Sequence, residues 1–291
     1  MNISKKFHYY ILLHSTVFVW GFTGVLGKLI DMPSEFIVLD RMLIAFCSLA
    51  IFGLFKKHNE LISFSSRIQM FFVGLIIAVH WATFFEALKV SNVSVTLCCL
   101  SSCSFFVALI EPIFFKTKIK PYEVLLSIFV IFGISIIFAF EDEYTLGIIL
   151  SIISALFASI FSVWNAILIK KNSSLSIALH NMLGGVFAIT IYLIFIGEFS
   201  LYSLIPHGND FFYIIILGVI CTGVAFLFGI EVLKKLSPFT VSITTNLEPI
   251  YGVFLALFIF GENEIMSFEF YLGALVVLLT IFVNGYLKTK Y

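Results

Sequence analysis

Two charged side chains fall inside long apolar stretches, where they could bind a charged solute. One is Glu248, which precedes Pro249, and the other is Arg41, which follows Asp40. A charge at the centre of a membrane helix costs about 2.5–3.5 kcal/mol on insertion scales, so such groups usually face the interior of a bundle. Glu248 could bind an ammonium group, carry a proton, or bond a neighbouring helix. Arg41 could bind a carboxylate through two parallel hydrogen bonds, or extend to the interface as an anchor.

Other polar and aromatic side chains could line a weakly polar cavity together with these two charges. Each of them alone is explained more simply as a packing residue or, for a tryptophan near a helix end, as an interfacial residue. As a set they are typical of a cavity for an amino acid or a similar solute. The candidate substrate-binding residues are Trp20, Arg41, His80, Trp81, Cys103, Trp164, His180, Asn181, Glu248 and Tyr251.

No catalytic residue, metal site or cofactor is predicted. Cys99 and Cys103 have helical spacing, but no histidine or carboxylate lies at ligand spacing from them. The sequence contains no His-Glu-x-x-His, no Gly-x-Ser-x-Gly and no Gly-x-x-x-x-Gly-Lys-Ser/Thr phosphate loop. An intramembrane enzyme acting on lipid or peptide is therefore the weaker alternative to a transporter, and a structural subunit is a third hypothesis.

The elements that must position these residues are membrane-spanning helices. Hydrophobic residues make up 61% of the chain and charged residues 12%, with a mean hydropathy of +1.12. The composition predicts a protein surrounded by lipid bilayer, with no nucleic acid partner.

A helix needs about 20 apolar residues to cross a bilayer. Ten stretches qualify: His8–Ile30, Ser34–Phe55, Ile68–Leu88, Asn92–Phe115, Pro121–Phe140, Thr145–Ile169, Ser174–Ile196, Asp210–Leu233, Pro238–Phe260 and Met266–Leu287.

The charged residues between these spans predict their direction. Cytoplasmic loops carry an excess of lysine and arginine, and fourteen of the 17 basic residues fall at alternate junctions, which places both termini in the cytoplasm. The basic positions are Lys5, Lys6, Lys56, Lys57, Arg67, Lys116, Lys118, Lys120, Lys170, Lys171, Lys234, Lys235, Lys288 and Lys290. The opposite junctions carry Asp31, Glu35, Glu141, Asp142, Glu143, Glu198, Asp210, Glu262, Glu264 and Glu269.

The two halves of the chain, residues 1–141 and 142–291, resemble each other. An offset of 145 places Glu86-Ala87-Leu88-Lys89 on Glu231-Val232-Leu233-Lys234 and Cys103-Ser104 on Glu248-Pro249, while an offset of 140 places Ser34 on Ser174. Since each half holds five predicted spans, the second half would enter the membrane from the opposite side. Inverted repeats of this kind are typical of secondary transporters, in which two half-bundles rock around a central site. The fold class predicted is all-α integral membrane, with ten transmembrane helices in two inverted five-helix repeats.

Three stretches resemble the drug/metabolite transporter superfamily, and within it the EamA-type ten-span transporters. They are Trp20-Gly21, the run from Leu88 to Ser94, and Leu247-Glu248-Pro249 followed by Phe260-Gly261-Glu262. Where members often have a proline in span four and Gly-Glu at its end, this chain has Ser104 and Lys116-Thr117. The resemblance implies export or exchange of small metabolites, commonly amino acids, across the bacterial inner membrane. It implies neither an oligomeric state nor a particular substrate.

Overall fold

The computed structural model describes residues 3–56, 60–140, 142–200 and 205–290, and over these it is helical with no strand. The helices are α1 (Ile3–Leu29), α2 (Ser34–Phe55), α3 (Phe64–Val90), α4 (Val93–Leu100), α5 (Cys103–Phe115), α6 (Pro121–Phe140), α7 (Thr145–Leu168), α8 (Ser174–Ile196), α9 (Asp210–Ile216), α10 (Ala225–Val232), α11 (Pro238–Thr245), α12 (Glu248–Phe260) and α13 (Phe268–Lys290). Short 3-10 turns cover Asp142–Tyr144 and Gly261–Glu264. Lys57, Glu141 and the boundary expected at residue 141 lie outside the described residues.

Within the described ranges, eight stretches are long and apolar enough to cross a membrane. Two further apolar stretches, Pro121–Ile137 and Phe268–Asn284, are shorter. The all-helical membrane class is therefore confirmed. The count of ten spans stays a prediction, because it depends on these two shorter stretches.

Polar residues begin several helices where the chain turns back into the bundle. The side chain of Asn92 accepts a hydrogen bond from the Val95 N–H at 2.8 Å, and Ser173 accepts one from the Ser176 N–H at 3.1 Å. These caps satisfy backbone donors that have no partner inside the first turn of a helix. They explain why the helices begin close to the polar residues that punctuate the apolar runs.

Two spans are interrupted at corresponding places. The span from Val93 to Phe115 breaks at Ser101 and Ser102, and the span from Pro238 to Phe260 breaks at Asn246 and Leu247. The bounds of α4 and α5 differ from those of α11 and α12 by 145 residues at every end, which is the offset of the sequence repeat. Interrupted helices in matching positions of two halves are the usual pointer to a transport site.

A further irregularity is a π-helical turn at Leu217–Val224, between α9 and α10. Gly218 and Gly223 let this turn approach α2 closely, because a Cβ on Gly218 would lie 2.7 Å from the Cβ of Ile44 and one on Gly223 would lie 2.8 Å from the Ser48 hydroxyl oxygen. The turn therefore packs directly on the helix that carries Arg41.

One side-chain contact occurs once in each half of the chain. The Ser34 hydroxyl donates to Glu86 at 2.6 Å, and the Ser174 hydroxyl donates to Glu231 at 2.7 Å. Both bonds join the first residue of a helix to a glutamate near the end of another. The residues matched in the sequence repeat thus make the same contact in three dimensions.

Carboxylates also join the two halves at the starts of helices. Glu264 accepts hydrogen bonds from the Val93 and Ser94 N–H groups, both at 3.0 Å, and from the Ser94 hydroxyl at 2.7 Å. Glu111 accepts one from the Phe239 N–H at 2.8 Å. Each carboxylate lies where the dipole of the capped helix favours negative charge. The N-terminal ends of α4 and α11 are therefore each held by a carboxylate from the other half of the chain.

Candidate functional site

A cavity lies between the two interrupted spans and is lined by residues from both halves of the chain. It encloses about 880 Å³, counting its open mouth. Six of the ten predicted binding residues line it: Trp20, Arg41, His80, Trp81, Cys103 and Glu248.

Arg41 is fully packed into the wall of this cavity, with 1% of its surface exposed. Its guanidinium carbon lies 4.0 Å from the centre of the Trp81 ring and 5.0 Å from that of Phe85. Its Nε donates to the Thr222 hydroxyl at 2.9 Å, while Nη1 is buried without a hydrogen-bond partner. The anchor interpretation of Arg41 is therefore wrong, because the side chain is held inside the bundle rather than extended to the surface.

Glu248 is the first residue of α12 and is 6% exposed. The helix is interrupted immediately before it, and Pro249 suits this position because proline fits the first turn of a helix but not its interior. Cys103, at the matching position, is the first residue of α5. The N-terminal ends of two helices thus meet the cavity, one carrying a carboxylate and the other a thiol.

At the other break the chain has serines and no proline. The Ser102 hydroxyl donates to the Cys99 carbonyl at 2.8 Å, and the Ser104 hydroxyl donates to the Ser101 carbonyl at 3.0 Å. Such local bonds offer the backbone an alternative to regular helix. The Ser101 hydroxyl is buried without a partner and lines the cavity, so it is available to a bound solute.

Aromatic rings from three spans form most of one wall. Trp81 packs edge-on against Phe226 at 5.9 Å, and Phe161 lies 6.1 Å from Phe226 and 5.4 Å from His80. His80 Nδ1 is 3.0 Å from the Ser154 carbonyl oxygen and 2.7 Å from the Ser154 hydroxyl oxygen. The histidine therefore ties α3 to α7 while its ring contributes to the wall.

Two of the predicted binding residues lie elsewhere on α7 and α8. The Trp164 Nε1 donates to Gln69 at 3.4 Å, and His180 Nδ1 is bonded to the carbonyl oxygen one turn earlier, at 2.8 Å. Neither residue lines the cavity described above. We do not include them in the proposed site.

The other two also pack outside the cavity lining. Asn181 is buried and donates to the Asn165 side chain at 3.1 Å, and Tyr251 packs edge-on against Phe18 at 5.3 Å. Asn181 corresponds to Arg41 in the sequence repeat, so the two matched positions differ in charge and in surroundings.

Several lining residues carried no signal in the sequence. Phe84, Phe161 and Phe226 are three of 36 phenylalanines, and nothing in their spacing distinguishes them. Thr222, the partner of Arg41, lies in the π-helical turn, which no hydrophobic pattern predicts. Asn246 could have been recognised, because it is a polar residue two positions before Glu248.

A helical membrane protein with two interrupted spans around a central cavity has the architecture of a secondary transporter. The chain belongs to the EamA-like transporter family, whose sequence pattern it matches twice, at residues 8–139 and 145–286. It is 23% identical to the uncharacterized transporter YxxF of Bacillus subtilis (strain 168) over 241 residues, which cover 81% of this chain and 77% of the relative. A protein of known crystal structure shares the fold, with a TM-score of 0.73 and 13% identity over 97% of this chain and 98% of its own.

Proposed function

We propose that the protein is a secondary transporter, an exporter or exchanger, for small metabolites that carry both an ammonium and a carboxylate group, as amino acids do. One observation supports this substrate class above all. Arg41 and Glu248 line the same cavity, yet no ion pair joins these two residues, both of which the structure describes.

Two separated charges in a low-dielectric cavity are costly. The effective penalty for removing one ion from water is several kcal/mol, and it is offset only by a close partner with good geometry. A zwitterion placed between the walls would give each charge a partner, with its carboxylate on Arg41 and its ammonium on Glu248. The aromatic wall would then contact an apolar side chain of the solute.

Transport would proceed by alternating access around this cavity. The two half-bundles, each with one interrupted span, would rock against each other and expose the site first to one side of the membrane and then to the other. Both termini would face the cytoplasm of a bacterial cell, in keeping with the segregation of lysine and arginine at alternate junctions.

A proton is the second solute that Glu248 could carry. Protonation would cancel its charge when no ammonium is bound, so substrate and proton would compete for one carboxylate. In proteoliposomes, uptake by the parent protein would then change with pH, and uptake by E248Q would not. An identical pH response in both proteins would eliminate this role.

Ligand-induced stabilisation of the detergent-purified protein tests the substrate class. A ligand that binds only the folded state raises the unfolding temperature, and the rise grows with the ratio of ligand concentration to Kd. We expect some of the twenty amino acids to stabilise the parent. The apparent affinity for these amino acids should be at least about tenfold lower in R41Q and in E248Q, since each variant loses a hydrogen bond to a charged group.

Matched controls separate this loss from a general effect of removing charge. Arg67 and Glu262 are exposed, and R67Q and E262Q should bind as the parent does. The proposal fails if R41Q and E248Q respond to every amino acid as strongly as these controls.

A further inference from the structure

Arg41 owes its orientation to a contact with the other half of the chain. Its Nε donates to the Thr222 hydroxyl at 2.9 Å, and both residues are buried, at 1% and 0% exposure. The Trp81 ring lies under the guanidinium at 4.0 Å. One hydrogen bond in the guanidinium plane and one ring on its face together fix both the position and the rotation of the group.

The hydrogen-bond direction at Thr222 is fixed by the π-helical turn. The Thr222 hydroxyl donates its proton to the Leu217 carbonyl at 2.7 Å, five residues earlier. Since a hydroxyl has a single proton, its oxygen can only accept from Arg41. The Thr222 hydroxyl, whose proton is used within the π-helical turn, is thus left to accept a hydrogen bond. This suits the guanidinium of Arg41, which can only donate.

The turn is also held in place against α2. A Cβ on Gly218 would approach the Arg41 carbonyl oxygen to 3.4 Å as well as the Ile44 side chain. The backbone at Gly218, four residues before Thr222, therefore lies close to the backbone of Arg41. The distance between the hydroxyl and Nε has little freedom to change while these helices stay packed.

We propose that Thr222 is the positioning residue that holds the Arg41 guanidinium with its buried, unpartnered Nη1 edge available to an anionic group in the cavity. The consequence for substrate choice depends on the function proposed above: Thr222 would set the preference for solutes that carry a carboxylate. Thr222 itself need not touch the solute, because it acts through Arg41.

Nuclear magnetic resonance of the full chain in detergent tests the contact without any ligand. The sequence has two arginines, Arg41 and the exposed Arg67, so arginine labelled with ¹⁵N gives two Nε signals, one of them an internal reference. In T222V the Arg41 Nε–H signal should move upfield, because the acceptor is gone, while T222S should keep the parental signal. T16V is the matched control, since the buried Thr16 hydroxyl bonds only the Leu12 carbonyl of its own helix, at 2.8 Å. T222A replaces T222V if the valine variant does not fold.

Binding measurements on the same proteins test the selectivity. The probes are phenylalanine, phenethylamine, which lacks the carboxylate, and 3-phenylpropionate, which lacks the ammonium group. T222V should bind phenylalanine and 3-phenylpropionate about tenfold more weakly, equivalent to about 1.4 kcal/mol, and phenethylamine as the parent does. T222S should restore the parental values.

The outcomes separate this inference from the function on which it depends. An Arg41 signal unchanged in T222V, or an equal loss of affinity for all three probes, overturns the positioning role. If the signal depends on Thr222 but the parent binds neither carboxylate probe nor any amino acid, the positioning role stands and the proposed substrate class is refuted.

Discussion

Replacing Glu264 by glutamine should weaken the junction between the two halves of the chain. Glu264 is 1% exposed, and its carboxylate accepts three hydrogen bonds, from the Val93 N–H, the Ser94 N–H and the Ser94 hydroxyl. Glutamine keeps a single acceptor oxygen. If that oxygen retains the two bonds of Ser94, the Val93 N–H is left facing an amide NH₂ group.

The magnitude follows from the bonds that are lost. A hydrogen bond to a charged group contributes about 1.5–3 kcal/mol, and E264Q loses at least one of them. For a chain of this size each kcal/mol corresponds to about 2 °C, so we expect the unfolding temperature to fall by roughly 3–6 °C. E264A, which loses all three bonds, should fall further.

Thermal unfolding of the detergent-purified variants measures this effect, with tryptophan fluorescence as the signal. E262Q is the control, because Glu262 lies in the same 3-10 turn but is exposed. If E264Q and E262Q unfold at the same temperature, the carboxylate does not stabilise the start of α4 and the reasoning is refuted.

Two further predictions concern packing and topology. G184A should destabilise the protein by about 2–3 kcal/mol, as overpacking does, because a Cβ on Gly184 would collide with the Phe71 carbonyl oxygen. G53A, whose Cβ would meet Leu175 at an ordinary 3.5 Å, is its control, and equal unfolding temperatures would contradict the close helix contact. Reporter tags at the two chain ends should both appear in the cytoplasm, and tags on opposite sides of the membrane would rule out the ten-span topology.

Much of the fold could be predicted because it follows from hydrophobic length and from residue matches between the halves. The eight long apolar stretches, the helix break before Glu248 and the paired serine–glutamate contacts all have a direct cause in the sequence. The break at Ser101 and Ser102 was not anticipated. No proline marks it, and the hydroxyl bonds to nearby carbonyls that accompany it are made by many serines in membrane helices without an interruption.

Lys28 and Lys89 are not among the basic residues that follow the charge pattern, and the structure explains both. The Lys28 ammonium donates to the Leu88 and Ser91 carbonyls, at 2.7 and 2.8 Å, and the Lys89 ammonium donates to the Ile30 carbonyl at 2.6 Å. Each satisfies carbonyls at the C-terminal end of the other's helix. Tertiary proximity of α1 and α3 decides this, and no local pattern contains it.

The charged residues of the site could be predicted from the sequence, whereas the residues that helix packing brings to the site could not. Arg41 and Glu248 are conspicuous because charges in apolar helices are rare. Trp164 and Tyr251 were equally plausible from composition, but the faces of their helices turn them away from the cavity lining. Thr222 depends on the π-helical turn, so its contact with Arg41 emerges only once α2 and that turn are packed.

The duplicated serine–glutamate contact has an energetic consequence for a carrier built from inverted halves. Identical halves would make the two end states of a transport cycle equal in free energy, since exchanging the roles of the halves converts one state into the other. Here the peripheral anchors are equivalent, whereas Arg41 is matched by Asn181 and Glu248 by Cys103. The cavity walls are thus one source of a resting bias toward one side of the membrane, and a solute that neutralises both charges would change that bias.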